Sequence, residues 1–263
     1  MLTLCPLLFL LYSNEFAGVT LFGVSFVGRL GQTYLAGISL AVSMANVTGV
    51  SVMIGLSSAL DTLCAQAFGA QKFHLLGEHL QRAILILSIP AFATSMLWFF
   101  MRPVLIALGQ DPEIAKVATI YLRALIPGVW LILIWACMRR FLVNQRVVVP
   151  QLIATISGFA ISAPLNYLFI LWLGLGIEGA AHAITLVYLT MSTVAWICYS
   201  KMYPKMKSLT FPQFSRNALK DWCPFIRLCI PACLMVVLEW WSNEALTVSR
   251  TRVPFSQPVQ ITH

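Results

Sequence analysis

Residues 178–200, EGAAHAITLVYLTMSTVAWICYS, form an apolar run whose charged residue, Glu178, stands at its first position. A helix needs about 20 mostly apolar residues to cross the hydrocarbon core of a bilayer, so this run is long enough to span a membrane. Similar runs recur along the chain and predict seven spans. Their approximate bounds are 4–27, 35–60, 83–101, 117–138, 150–173, 178–200 and 222–249.

The amino-acid composition also indicates that the chain lies in a lipid bilayer. Of the 263 residues, 59% are hydrophobic and 10% are charged, whereas soluble domains are about 45–50% apolar and about 25% charged. A water-soluble fold with this composition would expose large apolar patches and aggregate. The sequence therefore predicts an all-α, polytopic membrane protein surrounded by the lipid bilayer.

The distribution of positive charge predicts how the spans are oriented. The net charge is +8, but the basic residues are dispersed between the apolar runs, so no nucleic-acid partner is expected. Ten Lys and Arg residues follow the even-numbered spans, and three follow the odd-numbered spans. Because positive residues stay on the cytoplasmic side, the N-terminus is predicted to be cytoplasmic. This orientation argues against a seven-span receptor, whose N-terminus lies outside the cell.

Two acidic residues fall within the seventh span, in the stretch 238–244, LEWWSNE. An acidic side chain at the bilayer centre costs about 2.5–3.5 kcal/mol on insertion scales, so it usually faces a cavity or a partner. Glu239 and Glu244 are five residues apart, and their side chains point about 140° apart on a helix. They are therefore not expected to share one site. Glu239 could exchange protons or balance a cationic substrate, whereas Glu244 either does the same or reaches water near the end of the span.

Four other residues are candidates for lining a polar cavity. Glu15 lies within the first predicted span, where it either lines the same cavity or shows that the first helix starts later. Trp240 could stack on an aromatic cation, although packing or a place at the membrane interface explains it equally well. Asn46 and Asn166 could donate hydrogen bonds to a substrate, or bond neighbouring helices to each other.

Enzyme signatures are missing from the sequence. It contains no Gly-rich phosphate loop, no Gly-x-Ser-x-Gly nucleophile elbow and no His or Cys spacing suited to a metal. No catalytic residue, metal site or organic cofactor is therefore predicted.

Several short stretches resemble one family of membrane transporters in their order along the chain. They are 26–31 (FVGRLG), 46–51 (NVTGVS), 64–70 (CAQAFGA), 174–180 (GLGIEGA) and 238–241 (LEWW). Together they resemble the multidrug and toxic compound extrusion (MATE) family, especially its plant members. The resemblance runs from about residue 22 to about residue 248, with Arg29 standing where the family usually has a His.

The resemblance implies a secondary antiporter that exchanges protons, or sodium in some members, for cationic or amphiphilic organic compounds. Two six-helix lobes would rock around a central cavity, and a Glu of the seventh helix would couple the two fluxes. That role falls on Glu239, with Glu244 at a second acidic position of the family pattern. No cofactor is implied, because the ion gradient supplies the free energy for transport. The expected location is the plasma membrane or the vacuolar membrane.

The resemblance also divides the chain. Residues 1–200 correspond to the first six-helix lobe, 201–221 to a basic cytoplasmic loop and 222–249 to the seventh helix. Residues 250–263 do not resemble the family and are expected to be disordered. Because the family pattern continues into a second lobe, the chain is expected to be incomplete. The alternative function is a non-transporting lobe that associates with, or regulates, a full-length relative.

Overall fold

The computed structural model describes residues 15–28, 31–210 and 222–252, without the side chains of residues 15–17, 224 and 243–252. All regular elements of this described part are helices. In chain order they are α1 Glu15–Val27, α2 Gln32–Ala45, the first π segment Asn46–Val50, α3 Ser51–Ser57, α4 Ala59–Gly69, α5 Phe73–Phe99, α6 Met101–Ala107, α7 Pro112–Ala124, α8 Ile126–Asn144, α9 Val149–Asn166, the second π segment Tyr167–Trp172, α10 Gly176–Met202, α11 Pro204–Thr210 and α12 Trp222–Arg252.

The membrane-spanning prediction is confirmed by the lengths and composition of these helices. Six continuous helical stretches of the described part are long and apolar enough to cross a bilayer, and the shorter apolar helix Gly18–Val27 lies where the first span is predicted. Large apolar side chains also cover the outside, including Met235 at 72% and Trp172 at 74% exposure. The chain is an all-α, multi-pass integral membrane protein.

The second span is longer than predicted and is not a regular α-helix. It runs from Gln32 to Gly69 through α2, the first π segment, α3 and α4. The third span, α5, begins ten residues earlier than predicted. Arg82, which the topology count placed in a loop, consequently lies within a helix and is buried.

The predicted fourth span, 117–138, is divided in the structure at Leu125. Asp111 caps α7, since its side chain accepts hydrogen bonds from the backbone amides of Glu113 (2.8 Å) and Ile114 (3.3 Å). Pro127 has no amide hydrogen to continue the ladder of α7, and a new helix begins there. The long apolar helix is therefore α8, Ile126–Asn144, which ends later than predicted.

The helices α4, α8 and α10 all end at the same side of the bundle, where α5 begins. This side, called the basic end below, carries Lys72, Arg140 and Lys201. The segment predicted as a loop, 201–221, contains the short helix α11 there, and residues 211–221 lie outside the described part. Residues 253–263 of the predicted tail, like Arg29, also lie outside it.

Candidate functional site

The seventh predicted span, α12, packs along the second span. The two backbones lie close together at Gly55, where an added Cβ would lie 2.9 Å from the Cα of Cys233. One turn away, the buried thiol of Cys229 lies 3.4 Å from the carbonyl oxygen of Leu56. A side chain larger than hydrogen at residue 55 would separate the two helices. Gly55 therefore fixes where α12 lies on the bundle.

The first π segment, Asn46–Val50, provides polar backbone atoms inside this contact. A π turn disturbs the regular hydrogen-bond ladder of a helix, and such turns are frequent at functional sites. The carbonyl oxygen of Val47 accepts hydrogen bonds from the hydroxyl of Ser51 (3.1 Å) and from the indole Nε1 of Trp241 (3.3 Å). The Trp241 side chain of α12 thus donates a hydrogen bond directly to the backbone of the second span.

A second indole, on α5, also forms a hydrogen bond with the first π segment. Trp98 of α5 is fully buried, and its Nε1 donates to the hydroxyl of Thr48 at 2.9 Å. That hydroxyl in turn donates to the carbonyl of Met44 at 2.6 Å. A Cβ on Gly49 would lie 2.5 Å from Cζ2 of Trp98, so the ring reaches Thr48 only because residue 49 is glycine.

Glu239 lies on the side of α12 that faces away from the π segment. It precedes Trp241 by two residues, which places the two side chains about 200° apart around the helix. Its side chain is exposed, and no described residue forms an ion pair or hydrogen bond with its carboxylate. Trp240, between them, is half-buried and packs against the core. The carboxylate is therefore available to a group from outside the described helices.

Asn166 lies at a different place, at the junction of α9 and the second π segment. It is fully buried (0% exposed), and its Nδ2 donates to the carbonyl of Ser162 at 2.8 Å. A Cβ on Gly23 would lie 3.4 Å from Oδ1 of Asn166, so this oxygen faces α1. Within the described part of the chain, Oδ1 accepts no hydrogen bond. An unsatisfied buried acceptor is costly, so this position suits a bound water, cation or proton donor.

The structure therefore separates the predicted cavity residues into two places. Asn46, in the first π segment, lies on the stretch of the second span that α12 contacts, whereas Glu239 lies on the side of α12 that faces away from that segment. Asn166 lies instead against α1 and α10. Glu15 begins α1 and Glu244 lies within α12, but both side chains fall outside the described atoms.

One partly buried polar cluster was not identified from the sequence. Arg140 of α8, 13% exposed, forms an ion pair with Asp61 and donates to the hydroxyl of Ser57 and the carbonyl of Ile54, both at 2.9 Å. Asn144 donates to the other oxygen of Asp61 at 3.0 Å. These contacts hold the second span to α8 at the basic end. Arg140 and Asp61 are 79 residues apart, and only the helix register of both spans could have indicated the pair.

The described residues contain no group of three or more His, Cys, Asp or Glu side chains that could hold a metal ion. The polar side chains of the two places are the carboxylate of Glu239 and the amides of Asn46 and Asn166. The carboxylate can bind and release a proton or pair with a positively charged organic molecule. The amides are not ionisable, but they can donate and accept hydrogen bonds or offer an oxygen to a cation.

Comparison with known proteins adds evidence about the family to which the chain is related. A family model described as MatE matches residues 16–168. Protein DETOXIFICATION 16 of Arabidopsis thaliana is 38% identical over 231 residues, an alignment covering 88% of this chain and 47% of that protein. Multidrug and toxin extrusion protein 1 of Homo sapiens is 34% identical over 219 residues, covering 83% of this chain and 38% of that protein.

A solved structure shows the same arrangement of helices. The crystal structure of the eukaryotic MATE transporter AtDTX14 superposes with a TM-score of 0.82 at 32% sequence identity. The superposition covers 90% of this chain and 52% of that transporter. The chain thus spans about half the length of the known proteins it matches.

Proposed function

The chain belongs to the MatE family, and from that membership we propose that it supplies the first lobe and seventh helix of an efflux antiporter. The antiporter extrudes xenobiotic organic cations or secondary metabolites in exchange for protons, with sodium as the alternative coupling ion. The relatives named for detoxification and for multidrug and toxin extrusion support this proposal. The plasma membrane or the vacuolar membrane is the proposed location, with the N-terminus in the cytoplasm.

The exposed carboxylate of Glu239 is the observation that carries the proposal. A Glu on a membrane-spanning helix is costly unless it is protonated or paired with a cation. Trp241 and the close contact at Gly55 hold α12 on the second span, so the carboxylate faces away from this lobe. This orientation suits a central cavity bounded by a second lobe.

Coupling follows from the two ways of neutralising one carboxylate. When Glu239 binds a proton, the neutral side chain tolerates apolar surroundings and does not attract a cation. When it loses the proton, an organic cation can take the place of the lost charge. Proton and substrate then exclude each other, and the transporter changes orientation only with one of them bound. We propose Glu244, Trp240, Asn46, Asn166 and Glu15 as further residues of the transport pathway.

The test is uptake of a fluorescent organic cation into liposomes that contain the two-lobe antiporter to which this chain contributes. An imposed pH gradient is expected to drive uptake against the concentration gradient of the dye, and dissipation of the pH gradient is expected to abolish it. A sodium gradient of the same size at uniform pH is the control. Uptake driven by the sodium gradient alone would identify sodium, instead of the proton, as the coupling ion. Uptake that is insensitive to both gradients would refute antiport.

A second candidate function is a lobe that does not transport but associates with a second lobe or a full-length relative. The outer face of α12 favours it, because Leu234, Met235 and Leu238 are all more than half exposed. Co-purification of this chain with a tagged full-length relative would support this function. Transport by the purified chain alone would rule it out.

A further inference from the structure

An apolar groove of about 410 Å³ opens between three membrane-spanning helices. Its walls come from Leu80 and Ile84 of α5, Leu131 of α8, and Leu189 and Trp196 of α10. Leu189 and Trp196 are well exposed, so the groove is open to the outside of the helix bundle. On an integral membrane protein, a groove in this position faces lipid rather than water.

The groove runs along the helices toward the basic end. From Leu189 to Trp196, α10 rises about 10 Å in that direction. Trp196 lies at the end of the groove nearest the basic end, because α10 ends there at Met202. This length accommodates part of an acyl chain lying parallel to the helices.

A lysine is positioned directly at that end. The Nζ of Lys207 lies 5.1 Å from the ring centroid of Trp196. The helix that carries it, α11, is held by a buried hydrogen bond of 3.0 Å between Tyr199 and Thr210. The Tyr199 hydroxyl also donates to Gln145 of the α8–α9 connection at 2.9 Å. Lys207 is thus fixed over the mouth of the groove by a network that the transport site does not use.

A second polar group lies inside the groove. Ser192 lines it, is 9% exposed, and its Oγ has no hydrogen-bond partner among the described residues. Most Ser and Thr hydroxyls of the spans bond to a carbonyl of the preceding turn, as Thr193 does with Leu189 at 2.7 Å. Ser192 therefore lacks the partner that its neighbour has. Its Oγ is covered by protein atoms, so a rotation of the side chain toward the groove would bring it to a ligand there.

We propose that this groove binds an anionic glycerophospholipid. One acyl chain lies between α5, α8 and α10, Lys207 pairs with the phosphate, and Ser192 donates to an ester carbonyl. Ser192 is one helical turn, about 6 Å, from Trp196, which matches a carbonyl group lying just below a phosphate. Basic pockets between membrane helices are suited to acidic head groups. The exposed Lys201, in the last turn of α10, adds positive charge at the basic end.

The test counts lipids bound to the full chain by native mass spectrometry in a neutral detergent. Phosphatidylglycerol is the probe, and phosphatidylcholine with the same acyl chains is the comparison. The wild-type chain is expected to retain phosphatidylglycerol preferentially. Lys207→Gln is expected to weaken its binding about fivefold, the effect of removing one lysine close to an anionic head group. Lys205→Gln, the same change two residues away on α11, is the matched control.

Ser192→Ala distinguishes the part of the groove that binds the acyl chain from the part that binds the head group. It removes a donor to the ester carbonyl, which both lipids possess, so it is expected to lower binding of both by a similar factor. Equal retention of the two lipids by the wild type, or an equal loss in Lys205→Gln and Lys207→Gln, would overturn the proposal. Since bound lipid is counted without any transport, the result is independent of the proposed antiport.

Discussion

The indole Nε1 of Trp241 donates a hydrogen bond to the carbonyl oxygen of Val47 across 3.3 Å, joining the seventh predicted span to the second. The acceptor lies in the first π segment, where Trp98 binds Thr48 from another helix. Two indoles from different helices thus meet consecutive residues of one irregular turn. The position of Glu239 depends on this junction, because Trp241 fixes the rotation of α12 around its own axis.

Trp241→Phe should loosen the junction while keeping most of the aromatic surface. The change removes the donor to Val47, and a typical hydrogen bond contributes about 0.5–1.5 kcal/mol. The midpoint of thermal unfolding in detergent is therefore expected to fall. Trp240→Phe makes the same chemical change at a half-buried ring and is the control. A midpoint in Trp241→Phe that equals the one in Trp240→Phe would show that the hydrogen bond is not structural.

Gly55→Ala should displace α12 from the second span. The added methyl group would meet the backbone of Cys233 at 2.9 Å, and neither backbone can move without disturbing its helix. Overpacking of this kind costs about 1–3 kcal/mol. Gly69→Ala is the matched control, because an added Cβ there meets nothing within 4 Å. We expect the first variant to lower the yield of monodisperse protein, and the second to leave it unchanged or to raise it.

Arg140→Gln should be more damaging than a surface charge change. It removes the cationic partner of Asp61 and the donor to the hydroxyl of Ser57, and it leaves the carbonyl of Ile54 with the Ser57 hydroxyl as its remaining side-chain donor. Breaking a buried pair costs about 3–5 kcal/mol, and the partial exposure of Asp61 places the expected loss below that range. Arg146→Gln makes the same charge change at an exposed position of the basic end. Equal melting temperatures of the two variants would contradict a structural role for the pair.

Apolar run lengths were sufficient to predict the fold class and the approximate place of each span. They could not show where helices break, because Asp111 and Pro127 act through backbone hydrogen bonds rather than through hydropathy. The π segments were equally hidden, because no residue type in the stretch 46–50 (NVTGV) by itself indicates a π turn. The predicted bounds of the fourth span, 117–138, placed Arg140 in a loop. It lies instead within α8, where Asp61 from a neighbouring helix pairs with it.

The candidate site was predictable as residue types and not as an arrangement. An acidic residue within a span is visible in any sequence, which is why Glu239 could be named. Whether Glu239 and Asn166 face one cavity depends on how α9 and α12 are rotated about their own axes. The rotation of α9 depends on its packing against Gly23 of α1, and that of α12 on its packing against Gly55 of the second span. Single-sequence patterns contain no information about such long-range contacts. The functional roles of all these residues remain predictions.

Asn166→Leu should perturb transport without preventing folding. The leucine keeps a similar volume but removes the unpartnered Oδ1 that faces α1. If this oxygen accepts a hydrogen bond from a water or binds a cation during transport, exchange should slow at least several-fold, while the melting temperature changes little. Ser162→Ala, one turn away on α9, removes another buried unpartnered oxygen and is the control. Normal exchange by Asn166→Leu would remove Asn166 from the proposed pathway.

In a two-lobe antiporter that contains this chain, Glu239→Gln should abolish transport driven by a pH gradient. The amide has the shape of the protonated carboxyl group but can neither release a proton nor pair with an organic cation, so the exchange cycle stops in one state. The carboxylate has no partner among the described residues, so the substitution should leave the melting temperature unchanged. Glu113→Gln, at the start of α7, makes the same chemical change outside the long apolar helices and should transport normally. Uptake of a fluorescent cation into liposomes measures both variants. Wild-type uptake by Glu239→Gln, at any imposed pH difference, would exclude this carboxylate as the coupling group.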